Sequence, residues 1–267
     1  MLAGTALLSC VPWHSLTKGG NSTHMSYVLY YSPDSANLVV RMVLEEMGLE
    51  YEERPVPSKR SDRSDVFFQL NPRGLLPVLI DEQDGATLFE TGAILVYLAD
   101  KHGTLGLDDE GRKGRGDCLR WIFMLSNTLH ADLAIRFYPE RYVCTQSEIK
   151  PLQAAMKRRV QKHLELIDDV LGSHGGMWFL EKGLSVCDFY LGCCVRWAQR
   201  YPADAPAIGP HELEKVANLT ATLTALQERR SVKHAMMKEN LVGSAFVGVD
   251  TEDALARVFE VVGEGMP

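Results

Sequence analysis

The 267-residue chain has no excess of basic charge: 28 Lys and Arg stand against 35 Asp and Glu, for a net charge of −7. That balance argues against nucleic-acid binding through a cationic face. Its six cysteines, Cys10, Cys118, Cys144, Cys187, Cys193 and Cys194, form no CxxC pair and have no metal-ligand spacing. No metal is therefore expected, and the thiols read as reduced and mostly buried, as in a cytoplasmic protein. Cys193 and Cys194 are neighbours on an expected helix, where successive side chains diverge by about 100°, so no disulfide is expected between them. No run approaches the roughly 18 to 20 apolar residues that span a bilayer, so a soluble protein without membrane contact is expected. What is present is ordinary globular composition, 46% hydrophobic and 24% charged, enough for one large domain or two small ones.

Residues 1–24 have no helical or strand period, and they lack both the basic start and the long apolar core of a secretory signal and the arginines of a mitochondrial presequence. They are expected to be a dispensable leader. Patterned sequence then begins. Tyr27 to Tyr31 is a β-branched and aromatic run, broken by Ser32-Pro33-Asp34 before an amphipathic helix from about Ser35 to Met47, which Gly48 closes. A strand over Leu49 to Val56, a short polar helix over Ser61 to Leu70, strands at Pro77–Ile80 and Thr87–Phe89, and a helix from Thr91 to His102 complete the order βαβαββα.

The Gly-rich, charged stretch from Gly103 to Gly116 reads as a linker. Beyond it, apolar residues recur at three-to-four spacing over Cys118–Arg136, Ile149–Leu171, Val186–Arg200 and Leu213–Arg229, with no strand alternation. The expected division is a leader at 1–24, an α/β domain at 25–105, a linker at 106–116, an all-α domain at 117–247 and a tail at 248–267. In the tail, Leu255, Val258, Phe259 and Val262 form one apolar face of a short helix, expected to pack on the protein. At the start of the Val186 helix, Ser185 and Asp188 have the spacing of a capping box, with Leu184 and Phe189 as its staple.

In the first domain three segments are expected to converge: the turn Ser32–Asn37, the loop Asn71–Pro77, and the helix start at Glu90-Thr91. Two are helix N-termini, where unpaired N–H groups and a partial positive charge attract anions. The third ends in Pro77 just before a strand, where a cis bond turns the preceding backbone outward for pairing with an extended ligand. Such a cleft suits a small peptide bearing carboxylates.

Three stretches, Tyr30-Tyr31-Ser32-Pro33-Asp34-Ser35, Asn71-Pro72-Arg73-Gly74-Leu75-Leu76-Pro77-Val78-Leu79 and Leu88-Phe89-Glu90-Thr91-Gly92-Ala93-Ile94-Leu95-Val96-Tyr97-Leu98, resemble the N-terminal domain of cytosolic glutathione transferases. The helical second domain with its Ser185-x-x-Asp188 box extends the resemblance from Met25 to about Val247. It implies a thioredoxin-like domain followed by an all-α domain, usually in a homodimer, that conjugates glutathione to a hydrophobic electrophile with no other cofactor. It implies further that the Leu76 backbone, ahead of Pro77, pairs with the cysteinyl part of glutathione, and that Glu90 and Thr91 hold the γ-glutamyl end.

Ser35 falls where serine-type members carry the hydroxyl that polarises the thiol, and it is the first candidate. Tyr31, Ser32 and Asn37 compete with it. Some bacterial members carry a cysteine one position later; here that position is Ala36, which argues against mixed-disulfide chemistry, as the absence of sulfur from Ser32-Pro33-Asp34-Ser35 argues against dithiol exchange. Ser35 also reads simply as an N-cap. The resemblance assigns Phe137 and Tyr138, ahead of Pro139, to the electrophile pocket. Arg136 either steers an acidic substrate or solvates its helix. His130 and His163 have no partnered ligand spacing and read as core or solvent histidines, and Trp121, Phe123 and Met124 read as core. The other readings left open are a non-catalytic glutathione-binding or protein-docking module of the same fold and a glutathione-dependent isomerase or peroxidase.

Overall fold

The computed structural model describes residues 27–107, 112–175 and 177–249. The leader, part of the linker and the tail helix expected from the sequence lie outside them. Strand β1 (Tyr27–Tyr31), helix α1 (Asn37–Met47), strand β2 (Tyr51–Pro55), helix α2 (Asp65–Leu70), strands β3 (Val78–Asp81) and β4 (Ala86–Phe89) and helix α3 (Thr91–His102) follow the expected order. The sheet order is β2-β1-β3-β4, with β1 parallel to β2 and antiparallel to β3, and β3 antiparallel to β4. The parallel pair needs α1 as its crossover, and α1 is well suited to cover the sheet: Leu38, Val39, Val40, Met42, Val43 and Leu44 are all buried. Gly48 at φ 66° and Gly103 at φ 57° close α1 and α3 in the left-handed conformation that glycine accepts at least cost.

The second domain contains only helices among its described elements: α4 (Arg112–Met124), α5 (His130–Phe137), α6 (Ile149–His174), α7 (Val186–Arg200), α8 (Pro210–Glu214), α9 (Ala217–Gln227) and α10 (Arg230–Lys238). A π-helical turn at Leu125–Leu129 joins α4 to α5, so the expected Cys118–Arg136 helix is continuous but locally rewound. Helix α7 is buried along its whole length and packs against α1, α4, α5 and α9, which makes it the axis of the molecule. One apolar cluster runs from Leu29 and Leu38 in the first domain to Leu191 and Leu219 in the second.

Two expectations are corrected. The helix expected from Ser35 begins at Asn37, because Asp34 sits at φ 55° and turns the chain first. The single helix expected over Leu213–Arg229 is divided near Val216. Across that break the Asp168 carboxylate of α6 accepts from Leu219 N–H at 2.8 Å and from Asn218 at 3.1 Å, starting α9 from a distant helix rather than from a local cap. Helix α10 had no counterpart in the sequence reading.

Candidate active site

The register of the sheet brings the expected segments together. Tyr30 is opposite Val78, and Val78 is opposite Phe89. Tyr31, Pro77 and Glu90, each one residue beyond these partners, therefore share one end of the sheet, and with them come the turn Ser32–Asn37 and the start of α3. The Leu76–Pro77 peptide is cis. The ladder with β1 and β4 begins only at Val78, so the Leu76 backbone lies outside it.

The loop before Leu76 is held from both sides. Asn71, buried, accepts from Arg73 N–H at 3.0 Å and donates to Leu75 C=O at 2.9 Å. Arg63 donates to the carbonyls of Gly74, Pro57 and Ser58 at 2.6, 2.9 and 3.1 Å. Gly74 sits at φ 58° with the Phe68 ring 2.2 Å from where a Cβ would stand, so any side chain here would be strained and would have to displace that ring. At the next segment Glu90 takes φ 70°, a conformation that costs a non-glycine residue about 1 to 3 kcal/mol and concentrates at ligand-holding positions. Its exposed carboxylate pairs with Arg73. Thr91 is buried, and on α7 the Tyr190 hydroxyl shares a 2.8 Å hydrogen bond with His130 Nδ1. Burial pushes the His130 imidazole down to about 4, so it is neutral at physiological pH. The core reading of His130 holds. His163, 2.9 Å from the Asp132 carboxylate, is likewise a packing partner.

The candidates for thiol activation separate clearly. Ser35 is half-buried, and its hydroxyl donates to Asn37 Oδ1. The N-cap position of α1 is Ala36, not Ser35, so the plain capping role does not apply. Ser32 is buried; its N–H donates to Asn37 Oδ1 at 3.0 Å and its hydroxyl pairs with that of Ser58 at 2.7 Å. Asn37 is fully buried and its amide N–H donates to Glu239 at 2.8 Å. The Tyr31 ring lies under the Arg41 guanidinium, 4.5 Å from its centre, and burial together with the charge of Glu53 raises its phenol above the ordinary value.

Behind the turn is a cluster of buried charges that the sequence reading missed. The Asp34 carboxylate accepts from Arg196 at 2.7 and 3.2 Å and from Tyr201 at 3.1 Å, and pairs with Arg200 at 2.9 Å. Glu239, just past α10, accepts from Asp34 N–H and Asn37 at 2.8 Å and from Arg41 at 2.9 Å. A signal was available: Arg41 and Arg196 are single charges inside otherwise apolar helical runs, and such charges are buried only when paired.

Phe137 and Tyr138 meet edge to face at 4.4 Å, Phe137 packs on Tyr201 at 5.0 Å, and Arg141 lies 3.8 Å above the Tyr138 ring. Both aromatics remain more than a third exposed. Burial raises the Tyr138 phenol against the pull of Arg141 and Arg63. Arg136 has neither of its two expected roles: it is buried and binds the carbonyls of Gln153 and Ala205. Among the described residues no group of His, Cys, Asp or Glu is arranged to hold a metal ion, and no helix is long and apolar enough to cross a membrane.

Comparison with known proteins bears on the two-domain fold that carries these residues. The families described as glutathione S-transferase N-terminal domain and glutathione S-transferase C-terminal domain match residues 38–101 and 136–239. The glutathione S-transferase GstA of Escherichia coli O157:H7 is 26% identical over 216 residues, covering 80% of this chain and 98% of its own. The disulfide-bond oxidoreductase YfcG of Escherichia coli K12 is 32% identical over 151 residues, covering 50% of this chain and 68% of its own. A glutathione transferase of Burkholderia graminis, solved with two glutathione molecules bound per subunit, superposes with a TM-score of 0.66 at 26% identity, over 81% of this chain and 90% of its own.

Proposed function

The chain belongs to the glutathione S-transferase family, and from that premise we propose that it activates the thiol of bound glutathione through Ser35 and directs it at a hydrophobic electrophile. A free thiol has a pKa near 8.5, and lowering it by about two units takes roughly 2.7 kcal/mol of preferential thiolate stabilisation. A hydrogen bond to a charged acceptor supplies about 1.5 to 3 kcal/mol, and the start of a helix adds about 0.3 to 1. One hydroxyl at the start of α1 is therefore nearly enough.

The observation that carries this reading is the division of labour in the turn. Asn37 gives its amide hydrogen to Glu239, Ser32 is buried against Ser58, and the Tyr31 ring is stacked on Arg41. That leaves the half-buried Ser35 hydroxyl as the donor able to turn toward a sulfur. The Leu76 backbone would pair with the cysteinyl unit, while Glu90 and Thr91 hold the γ-glutamyl end. Phe137 and Tyr138 would form the apolar wall for the electrophile. Arg141, stacked on the Tyr138 ring, favours an electrophile carrying an anionic group.

The protein is read as a cytoplasmic homodimer with a detoxifying role. Its free thiols fit a reducing compartment, and the exposed Val66, Phe89 and Phe123, the last of these expected in the core but on the surface, offer apolar surface for a second copy. The test is Ser35→Ala. Loss of about 1.4 kcal/mol or more cuts conjugation at least tenfold, and the ultraviolet thiolate absorbance of bound glutathione falls with it. Wild-type absorbance in that variant would end the assignment to Ser35.

The likeness to YfcG favours one second reading, in which the activated thiolate attacks a disulfide instead of a carbon electrophile. The sulfur–sulfur bond breaks, a mixed disulfide with glutathione forms, and one thiolate leaves. With serine at both ends of Ser32-Pro33-Asp34-Ser35, every sulfur in that exchange comes from glutathione or substrate. Turnover of hydroxyethyl disulfide without turnover of chlorodinitrobenzene would select it.

A further inference from the structure

We propose that Glu239, contributed by the second domain, is a positioning residue for the thiol-activating hydroxyl of the first. The inference rests on the reading of Ser35 as the donor to sulfur. The carboxylate reaches the turn twice: Oε2 accepts the Asp34 N–H at 2.8 Å, and Oε1 accepts the Asn37 amide N–H at 2.8 Å beside Arg41 Nε at 2.9 Å. The first bond holds the backbone where Asp34, at φ 55°, turns the chain into Ser35. The second sets which way the Asn37 amide faces.

That orientation is fixed by polarity at both ends. Both Glu239 oxygens already accept from N–H donors, Oε2 from Asp34 and Oε1 from Arg41, so the amide N–H and not the amide oxygen faces Glu239. The Ser32 N–H, 3.0 Å from Asn37 Oδ1, only donates, so the amide oxygen must face the turn. The Ser35 hydroxyl hydrogen then rests on the same oxygen, and the oxygen lone pairs of Ser35 are left to receive a thiol S–H. When the thiol ionises, its proton passes to solvent water and the hydroxyl hydrogen swings from Asn37 to the sulfur. Asn37 Oδ1 keeps its bond from Ser32, so the swing leaves no buried acceptor bare, which would otherwise oppose it. Without Glu239 the amide is free to turn over, and the Asp34 N–H loses its acceptor.

The test is a double-mutant cycle on the full chain with Glu239→Gln, Ser35→Ala and the double variant. It reads the thiolate absorbance per bound glutathione, glutathione affinity, and kcat and KM with chlorodinitrobenzene. Glu239→Gln is expected to lower the thiolate fraction and cut kcat about tenfold, while glutathione affinity changes by less than threefold. In the Ser35→Ala background it should have no further effect on the thiolate. An unchanged thiolate fraction in Glu239→Gln, or an equal drop with and without Ser35, overturns the proposal while Ser35→Ala alone still shows its own loss. If Ser35→Ala alone leaves the thiolate intact, the reading of Ser35 fails first. Should Glu239→Gln not fold, Asn37→Ala cuts the same link while sparing the Arg41 pair and the Asp34 bond. It is expected to reproduce the loss, and wild-type thiolate absorbance there overturns the proposal.

Discussion

At Tyr31 the pattern of a strand ending in a phenol invites a tyrosine-type mechanism, and the side chain's neighbours argue against it. The ring is stacked on Arg41, and the nearby Glu53 carboxylate together with burial keeps the phenol protonated above its ordinary range. Its value lies in packing the guanidinium, a contact worth about 0.5 to 2 kcal/mol. Tyr31→Phe retains the ring and removes only the hydroxyl. It is expected to keep conjugation within about threefold of wild type, less than 1 kcal/mol of barrier, and to leave the thiolate absorbance of bound glutathione unchanged. A tenfold loss of that absorbance would instead make the phenol the activator.

Among the elements, helix α7 shows how much a short motif specifies. Ser185 and Asp188 are both fully buried, and the Asp188 carboxylate accepts from Ser185 N–H and Phe179 N–H at 2.7 Å and from the Ser185 hydroxyl at 2.8 Å. Asp188→Ala strands two buried N–H groups at about 1 to 3 kcal/mol each. Since 1 kcal/mol is worth about 2 to 4 °C in a protein of this size, the midpoint should drop by at least about 4 °C. Asp188→Asn, which retains one carbonyl acceptor, should lose less. An unshifted midpoint in Asp188→Ala would remove the motif from the fold's supports.

The capping box was legible in sequence because its parts are three residues apart, as were β1, α3 and the Asn71–Pro77 loop, each marked by a local period or a Gly or Pro at a defined place. The break before α9 was not. It depends on Asp168, some fifty residues earlier in the chain, reaching the Leu219 N–H from another helix, and a local window contains no sign of that. In the candidate site, the turn and the helix starts around Ser35 and Thr91 carry local marks, while the parts proposed for Ser35, Leu76, Pro77, Glu90 and Thr91 came from the resemblance to glutathione transferases. Glu239 had no such mark, since its role exists only where α10 packs on α1.

Over the whole molecule, the seam between domains is held by charges that water does not reach, and this makes stability depend on pH in a way a surface ion pair would not. Burial pushes the Glu239 carboxyl up to about 7 from the ordinary 4.5, against the pull of Arg41 and the Asp34 N–H. The folded state therefore keeps a proton that the unfolded chain has already released. Stability from this group is fully present below pH 4.5 and is lost as pH rises through 7.

Two other buried groups act elsewhere on the scale. Asp188, raised by burial to about 6 from the ordinary 3.8, acts in the same sense as Glu239 but at lower pH, its contribution lost as pH rises through 6, whereas His130, lowered by burial to about 4, weakens the fold as pH falls from 6.5 toward 4. Between about pH 6.5 and 8 the change belongs mainly to Glu239, and it amounts to roughly 1 kcal/mol. Urea denaturation across that window should show the wild-type protein losing stability relative to Glu239→Gln as pH rises, whatever the constant offset between the two. The opposite slope would mean that Arg41 holds the carboxylate ionised throughout, and that the seam gains rather than loses from its charge at neutral pH.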